Sequence, residues 1–502
     1  MIRIMLLQFL FVLLGVVLIN VAHVQTQDQS GFISIDCGLA ESSSYADRTT
    51  GINYISDAKF IDTGEVKSLS PYIKSTARRE LWYVRSFPTG VRNCYRINVT
   101  SGAKYLIRTT FFYANYDGLN EVPQFDLHLG ANRWATVKLS NNQTLSSYYE
   151  IIYSPSLDYM HICLVNTRQG TPFISILELR TLNNNTYDTK SGSLAHLSRY
   201  DLGNSELRYR YKDDVYDRIW LPYPPDKRWT QLNASLTNEN LSQTAYKPPA
   251  VVMSTAATPI NASASFDFHW DDDNLLDAQY YVCMHFTEVQ KLAPNETRSF
   301  DITLNGDHWY GPLVPLYQKT TTIYSTSAFT GGSGTGFQFS LIKTENSTLP
   351  PIINGVEIYM VIDLSHSETE QDDVDAIINI KKAYGVDRNW QGDPCTPRAY
   401  MWEGLNCSSD DNNPPRITSL NLSSSGLIGQ ISSYISKLTM LEYLDLSNNS
   451  LSGSVPDFLT ELQSLKVLNL GSNNLAGLVP SGLVDRSSNG SLSLRYAYGL
   501  KT

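Results

Sequence analysis

The stretch Tyr105 to Trp134 recurs without a gap at Tyr280 to Trp309, an offset of 175 residues. Its anchors in the first copy are Tyr105, Phe111, Phe125-Asp126-Leu127-His128-Leu129 and Trp134. The second copy carries Tyr280, Phe286, Phe300-Asp301-Ile302-Thr303-Leu304 and Trp309. A trailing pair follows at an offset of 179: Pro172-Phe173-Ile174 with Glu178-Leu179, and Pro351-Ile352-Ile353 with Glu357-Ile358. Between these anchors, short aromatic and β-branched runs alternate with Gly, Asn, Asp and Pro turns, which is the signature of strands. A duplicated β unit confines residues 31–362 to two like bodies side by side. Two β-sandwiches fit the spacing, over residues 31–182 and 226–362, joined by a polar connector at 183–225 rich in Asn, Tyr and Arg.

The pattern then changes period. Val374, Ile377, Ile378 and Ala383 recur at helical spacing between Asp372 and Tyr384. Thr369 with Asp372 three residues on predicts the helix start, and Gly385 its end. This helical linker, 363–388, reads as an adaptor. From Ile417 a 24-residue period begins, with Ile417, Leu441 and Leu465 in register. Leu420, Leu444 and Leu468 repeat the same spacing, as do Leu422, Leu446 and Leu470, and Gly429, Gly453 and Gly477. Asn449 and Asn473 stand where a buried amide bonds the backbone at each turn, with Ser425 in that place in the first unit. The match is a leucine-rich repeat array of three repeats over 417–488, followed by a tail at 489–502. An open solenoid end exposes its hydrophobic layer and needs a cap. Residues 389–416, with Trp390, Gly392-Asp393-Pro394-Cys395, Trp402 and Cys407, supply one, and a Cys395–Cys407 bridge is expected there. The other four cysteines, Cys37, Cys94, Cys163 and Cys283, allow three pairings. Cys94 with Cys163 is preferred because both lie in the first copy; Cys283 sits in an apolar run and reads equally well as a buried free thiol.

The compartment is legible too. Arg3 followed by the apolar run Ile4 to Ile19 marks residues 1–24 as a secretion signal, too short for a bilayer span of ~20 residues. Twelve N-x-S/T acceptors occur, at Asn98, Asn142, Asn184, Asn233, Asn240, Asn261, Asn295, Asn346, Asn406, Asn421, Asn448 and Asn489. Together they predict a glycosylated chain in the secretory pathway, extracellular or at the cell surface. A net charge of −10 argues against a nucleic-acid partner.

No residues assemble a nucleophile, base and orienter, so the chain is expected to be a non-enzyme without cofactor or metal. Gly331-Gly332-Ser333-Gly334-Thr335-Gly336 lacks the Gly-Lys-Ser/Thr ending of a phosphate loop and reads as a hairpin loop. The spacing of Asp271-Asp272-Asp273 is not that of a calcium loop. His269 and His285 are expected to pack in strands, and no H-E-x-x-H motif occurs.

A duplicated β unit, a Gly-Asp-Pro-Cys cap and 24-residue repeats together resemble the extracellular region of plant malectin-like leucine-rich-repeat receptor kinases. The resemblance also rests on Phe32-Ile33-Ser34-Ile35-Asp36-Cys37-Gly38, Tyr54-Ile55-Ser56-Asp57, Arg92-Asn93-Cys94-Tyr95 and Trp402-Glu403-Gly404-Leu405-Asn406-Cys407. It implies a mainly β fold: two tandem malectin-like β-sandwich domains, then a short helix, a cysteine cap and a leucine-rich-repeat solenoid. It also implies an extracellular receptor-type ectodomain that binds carbohydrate or peptide, with a co-receptor kinase ectodomain as a further partner. The V-A-I-K, H-R-D and D-F-G motifs of a kinase do not occur, nor does an apolar span of membrane length after the signal. Kinase activity is therefore not expected of this chain. A soluble decoy that titrates ligand away from full-length relatives, and a partial, non-functional product, are the alternatives.

Sugar sites pair aromatic faces with a carboxylate or amide. Phe112, Tyr113, Tyr116 and Asp117, at the end of a predicted strand and in the next loop, have that chemistry. Core packing of Phe112 and Tyr113, and an ordinary turn at Tyr116 and Asp117, compete with this reading. The second copy has Thr287, Glu288, Gln290 and Lys291 there, without the aromatic platform. On the solenoid, Tyr443 is the expected contact residue among the variable strand positions.

Overall fold

A computed structural model of the chain describes residues 29–140, 145–189, 192–236, 244–270, 278–330, 337–409 and 413–496. The signal segment, Asn142, Asn240, the Asp271–Asp273 run and the 331–336 glycine loop lie outside the described residues.

The two copies form two β-sandwiches with separate cores. In the first, Ile107, Phe111, Leu177 and Leu179 on one sheet meet Phe125, Leu127, Ile162 and Leu164 on the facing sheet. In the second, Tyr280, Val282, Met284 and Phe286 meet Phe300, Ile302, Phe339 and Leu341. Strands alternate, so every second residue turns away from these cores. Cys94 and Cys163, directly opposite on neighbouring antiparallel strands, are bridged; Cys37 and Cys283 are buried free thiols.

The sandwiches are not beads on a linker. One sheet runs through both, and the junction is made by strand Ser193–Asp201, which pairs with Ser147–Tyr153 of the first copy on one side and Gly355–Ile362 of the second on the other. That strand belongs to the stretch read from sequence as a polar connector. The rest of the connector folds back over the outer face of the shared sheet, where Tyr187, Tyr246, Tyr281 and Tyr359 pack together.

Arg199, Asp214, Asp217 and Arg218 of the connector are buried against that face. Register places Glu178, Arg108 and Glu150 side by side on three adjacent strands. Arg108 reaches Glu150 at 2.8 Å and Glu178 at 3.1 Å. Arg199, on the junction strand, joins Glu150 of the first copy at 2.8 Å to Glu357 of the second at 2.7 Å. From the connector, Asp217 receives Arg180 at 2.8 Å and Arg210 at 2.7 Å, while Arg218 pairs Asp214 at 2.8 Å and Glu357 at 3.3 Å. Five arginines thus face five carboxylates, a neutral buried layer. Burial alone would raise the carboxyls, but the guanidinium groups beside them dominate. They hold Glu150 and Asp217 down to about 2 and Glu178 and Glu357 well below the ordinary range. His285 donates its Nε2–H to the Glu357 carboxylate at 3.0 Å, and burial keeps its imidazole below the usual histidine range. His269 also lies in a strand, but its side chain is exposed.

The helix spans Gln371–Tyr384 and ends on Gly385, whose left-handed backbone (φ 60°) suits glycine. Thr369 does not cap it; its N–H and hydroxyl bond Asp393 of the cap instead. Nor is the helix only an adaptor. Ala376, Ile377 and Ile380 enter the same core as Trp390, Trp402 and the repeat leucines, and buried Asp373 accepts from Arg416 and the Ile417 N–H. Cys395 is bridged to Cys407 beside this layer. Strands Ile417–Asn421, Tyr443–Asp445 and Val467–Asn469 then stack in parallel. Asn449 accepts from the N–H groups of Ser425 and Leu427 and donates to three carbonyls, so its half-buried amide is satisfied. The tail differs from expectation: Ser493–Arg495 pairs with Val467–Asn469 as a fourth rung, and Leu492 is buried beneath it.

Candidate ligand-binding site

The structure separates the expected aromatic site into core and rim. Phe112 and Tyr113 directly follow strand Tyr105–Phe111 and are 5% and 2% exposed. Phe112 packs with Tyr54, Leu69 and Tyr211 on the outer face, whereas Tyr113 turns inward against Phe173. Neither ring offers a face to a ligand, which corrects the expectation of a sugar platform. Tyr116 and Asp117 remain half-exposed. Tyr116 stacks at a tilt on Phe173, 5.1 Å between ring centres, and its hydroxyl lies 3.1 Å from that of Ser86. Burial raises its phenol to about 12. Asp117 accepts from the Tyr113 hydroxyl at 2.6 Å and the Leu119 N–H at 3.1 Å, which makes it a turn-former. In the second copy, Glu288 and Gln290 are both engaged by Arg298, at 2.7 and 2.9 Å.

The solenoid keeps its polar face open. Leu420, Leu444 and Leu468 point into the core, and the residues beside them point outward because the strands alternate. Register lines up Asn406, Ser419, Tyr443, Val467 and Ser493 in one outward row. Tyr443 is half-exposed in the middle of that row, its hydroxyl 3.1 Å from Asp445. Burial would raise the Asp445 carboxyl, but hydrogen bonds from Ser447, Asn469 and Tyr443 hold it below the ordinary range. Beside this row, Glu442 and Lys466 form an exposed pair at 2.7 Å.

A third surface was not visible in the sequence. The first sandwich docks on the cap, leaving a groove of about 710 Å³ between them. Lys59, Asp62 and Arg96 line it from the sandwich, and Lys381, Lys382 and Asp387 from the helix and the turn after it. Asp62 anchors the joint, accepting from Gln391 at 2.6 Å and Lys381 at 3.4 Å. Arg92 donates to the Thr396 carbonyl at 2.9 Å. The approach is so close at Gly392 (φ 69°) that a Cβ there would lie 2.6 Å from Arg92 and 2.7 Å from Cys94. These residues are about 300 positions apart, and no local pattern brings them together.

Of the ten glycosylation acceptors in the described residues, nine asparagines are exposed, and Asn421 is half-buried at the end of its strand. Among the described residues no group of His, Cys, Asp and Glu could hold a metal ion, and no helix is long and apolar enough to cross a membrane.

The malectin-like domain family matches residues 35–361, and a leucine-rich repeat family matches 415–485. A putative leucine-rich repeat receptor-like serine/threonine-protein kinase of Arabidopsis thaliana is 50% identical over 480 residues, covering 93% of this chain and 54% of that protein. The Arabidopsis thaliana LRR receptor-like serine/threonine-protein kinase IOS1 is 45% identical over 419 residues, covering 83% and 46%. The chain therefore spans about half the length of the curated relatives it matches. Among solved structures, the Arabidopsis thaliana ANX2 ectodomain aligns with a TM-score of 0.54 at 19% identity, over 66% of this chain and 97% of that one. A structure of the plant peptide RALF23 in complex with FER and LLG2 aligns at 0.52 and 16% identity, over 66% and 95%. These likenesses show a shared fold. With its tandem sandwiches and its repeats both matched, the chain belongs to the malectin-like family and has the make-up of a leucine-rich-repeat receptor kinase's extracellular region.

Proposed function

We propose that the chain is the ligand-binding, extracellular part of a receptor system, and that it recognises a peptide or partner protein through passive surfaces. The kinase that such signalling requires is supplied outside these 502 residues. The observation that carries this reading is the contrast between the expected contact residues. Tyr443 stands half-exposed in an open row beside a charged pair, whereas Phe112 and Tyr113 are core. A half-exposed Tyr flanked by charges suits a protein partner, because its ring supplies area and its rim supplies steering. The solved complex of RALF23 with FER and LLG2 supports the same class of ligand in a fold of this kind. Carbohydrate recognition keeps only Tyr116 and Asp117 for support. A co-receptor ectodomain is the second partner proposed, with the open strand face as its landing surface.

The test is a peptide pull-down and a glycan array with the secreted chain. Tyr443→Ala should weaken peptide capture at least about tenfold, as removal of a central Tyr costs ~2 kcal/mol, while Tyr116→Ala leaves it unchanged. Glycan binding lost on Tyr116→Ala, with no peptide captured, would replace this reading by the carbohydrate one.

A further inference from the structure

A cavity of about 770 Å³ lies where the linker and the cap meet, and Asn406 is one of its lining residues. Asn406 is exposed, sits in strand Leu405–Cys407, and heads the acceptor sequence Asn406-Cys407-Ser408. We propose that this cavity seats the core sugars of an N-glycan carried on Asn406, so that the glycan is a built-in part of the joint between linker and cap.

Three observations support it. The volume falls within the ~300–1,000 Å³ of sites that enclose small molecules. The lining has the two kinds of surface a hexosamine presents. Hydroxyls come from Ser365, Ser367 and Thr396, and apolar faces from Pro397, Met401 and Pro415. The attachment point is also rigidly set. Cys407, the next residue, is bridged to Cys395, which also lines the cavity, and Asn406 is held in register with Ser419. A sugar bonded to this amide starts at the exposed edge of the cavity. Being tethered, it binds at high effective concentration without the entropy cost of a free ligand. The cavity walls come from segments some 40 residues apart, so a seated glycan would hold the linker at 365–367 against the cap. The exposed acceptors at Asn98 and Asn261, at a strand end and in a turn, line none of the cavities described above.

The inference rests on the secretory reading of the chain, and one experiment separates the two. The full chain is secreted from plant cells with high-mannose glycans and digested, without denaturant, by an endoglycosidase that cuts between the two core N-acetylglucosamines. Glycopeptide mass spectrometry then follows each asparagine in time. The glycan on Asn406 should be released at least about tenfold more slowly than those on Asn98 and Asn261, because the joint must open first, and the difference should vanish after denaturation. Asn406→Gln should lower Tm by roughly 2–4 °C, and Asn261→Gln should not. If Asn406→Gln is not secreted, the protection assay on the natural chain decides alone. Equal release rates, or a bare Asn406 on a chain glycosylated elsewhere, would overturn the proposal. Bare asparagines throughout would overturn both it and the secretory reading.

Discussion

The sandwich pair and the solenoid both bury polar side chains, but by opposite means. In the solenoid the recurring groups are half-buried neutral amides, Asn449 and Asn473, each satisfied by backbone of its own and the preceding repeat. Asn473, for example, accepts from Leu451 N–H and donates to Leu446, Leu470 and Gly471 carbonyls. In the sandwich pair they are full charges. Arg199 meets Glu357, 158 residues away, and Arg218 meets the same carboxylate from 139 away. The difference teaches where each region keeps its integrity. A solenoid is a sum of nearest-neighbour interfaces, so damage stays local. The sandwich junction is one connected network, in which each missing partner leaves the buried layer with an uncompensated charge.

The strongest way to break that comparison is Arg199→Ala. It takes one of two arginine partners from each of Glu150 and Glu357 and leaves the buried layer one positive charge short, and should cost about 3–5 kcal/mol, the usual penalty for breaking a buried ion pair. Secretion yield and the denaturant midpoint would report it, with both sandwiches lost together. A mild effect would mean the sandwiches are stable singly and the network is ornamental. Asn449→Ala is the matching cut in the solenoid. It leaves two N–H groups and three carbonyls without their amide partner, and should cost about 1–3 kcal/mol. Hydrogen exchange should accelerate in the repeats alone, leaving the sandwich amides protected.

Smaller, and opposite in sign, is Asp36. Its carboxyl is buried with the Tyr45 hydroxyl on one oxygen at 2.8 Å and no partner on the other among the described residues. Burial pushes it up to about 8. A raised folded pKa means the stability it contributes is complete below the unfolded value of ~3.9 and is lost as pH rises through about 8. The network carboxylates Glu150 and Asp217, held down to about 2, run the other way, with their stability present above ~4.3 and lost as pH falls toward 2. Asp36→Asn should therefore flatten the alkaline limb of a Tm-against-pH profile and raise stability at pH 8 by on the order of 1 kcal/mol. The acid limb should not move. A shift of the acid limb would place Asp36 within the charged network instead of apart from it.

The duplicated unit, the helix at Gln371–Tyr384, the 24-residue ladder and both half-bridges of the cap were legible in the chain itself. Each is written in spacing: strand alternation, helical period, or a repeated leucine offset, and such patterns follow from local backbone geometry. Tertiary structure alone decided the rest. The Asn-, Tyr- and Arg-rich connector reads as solvent-facing because charge favours water, yet Arg199, Arg210 and Arg218 reach Glu357 and Glu178 on distant strands, and that pairing permits their burial. Phe112 and Tyr113 have the composition of an open platform, but at the strand's end two consecutive side chains turn to two different interiors. The groove between Lys59 and Lys382 exists because the first sandwich closes on the cap, a contact across more than 300 residues that no short-range pattern encodes.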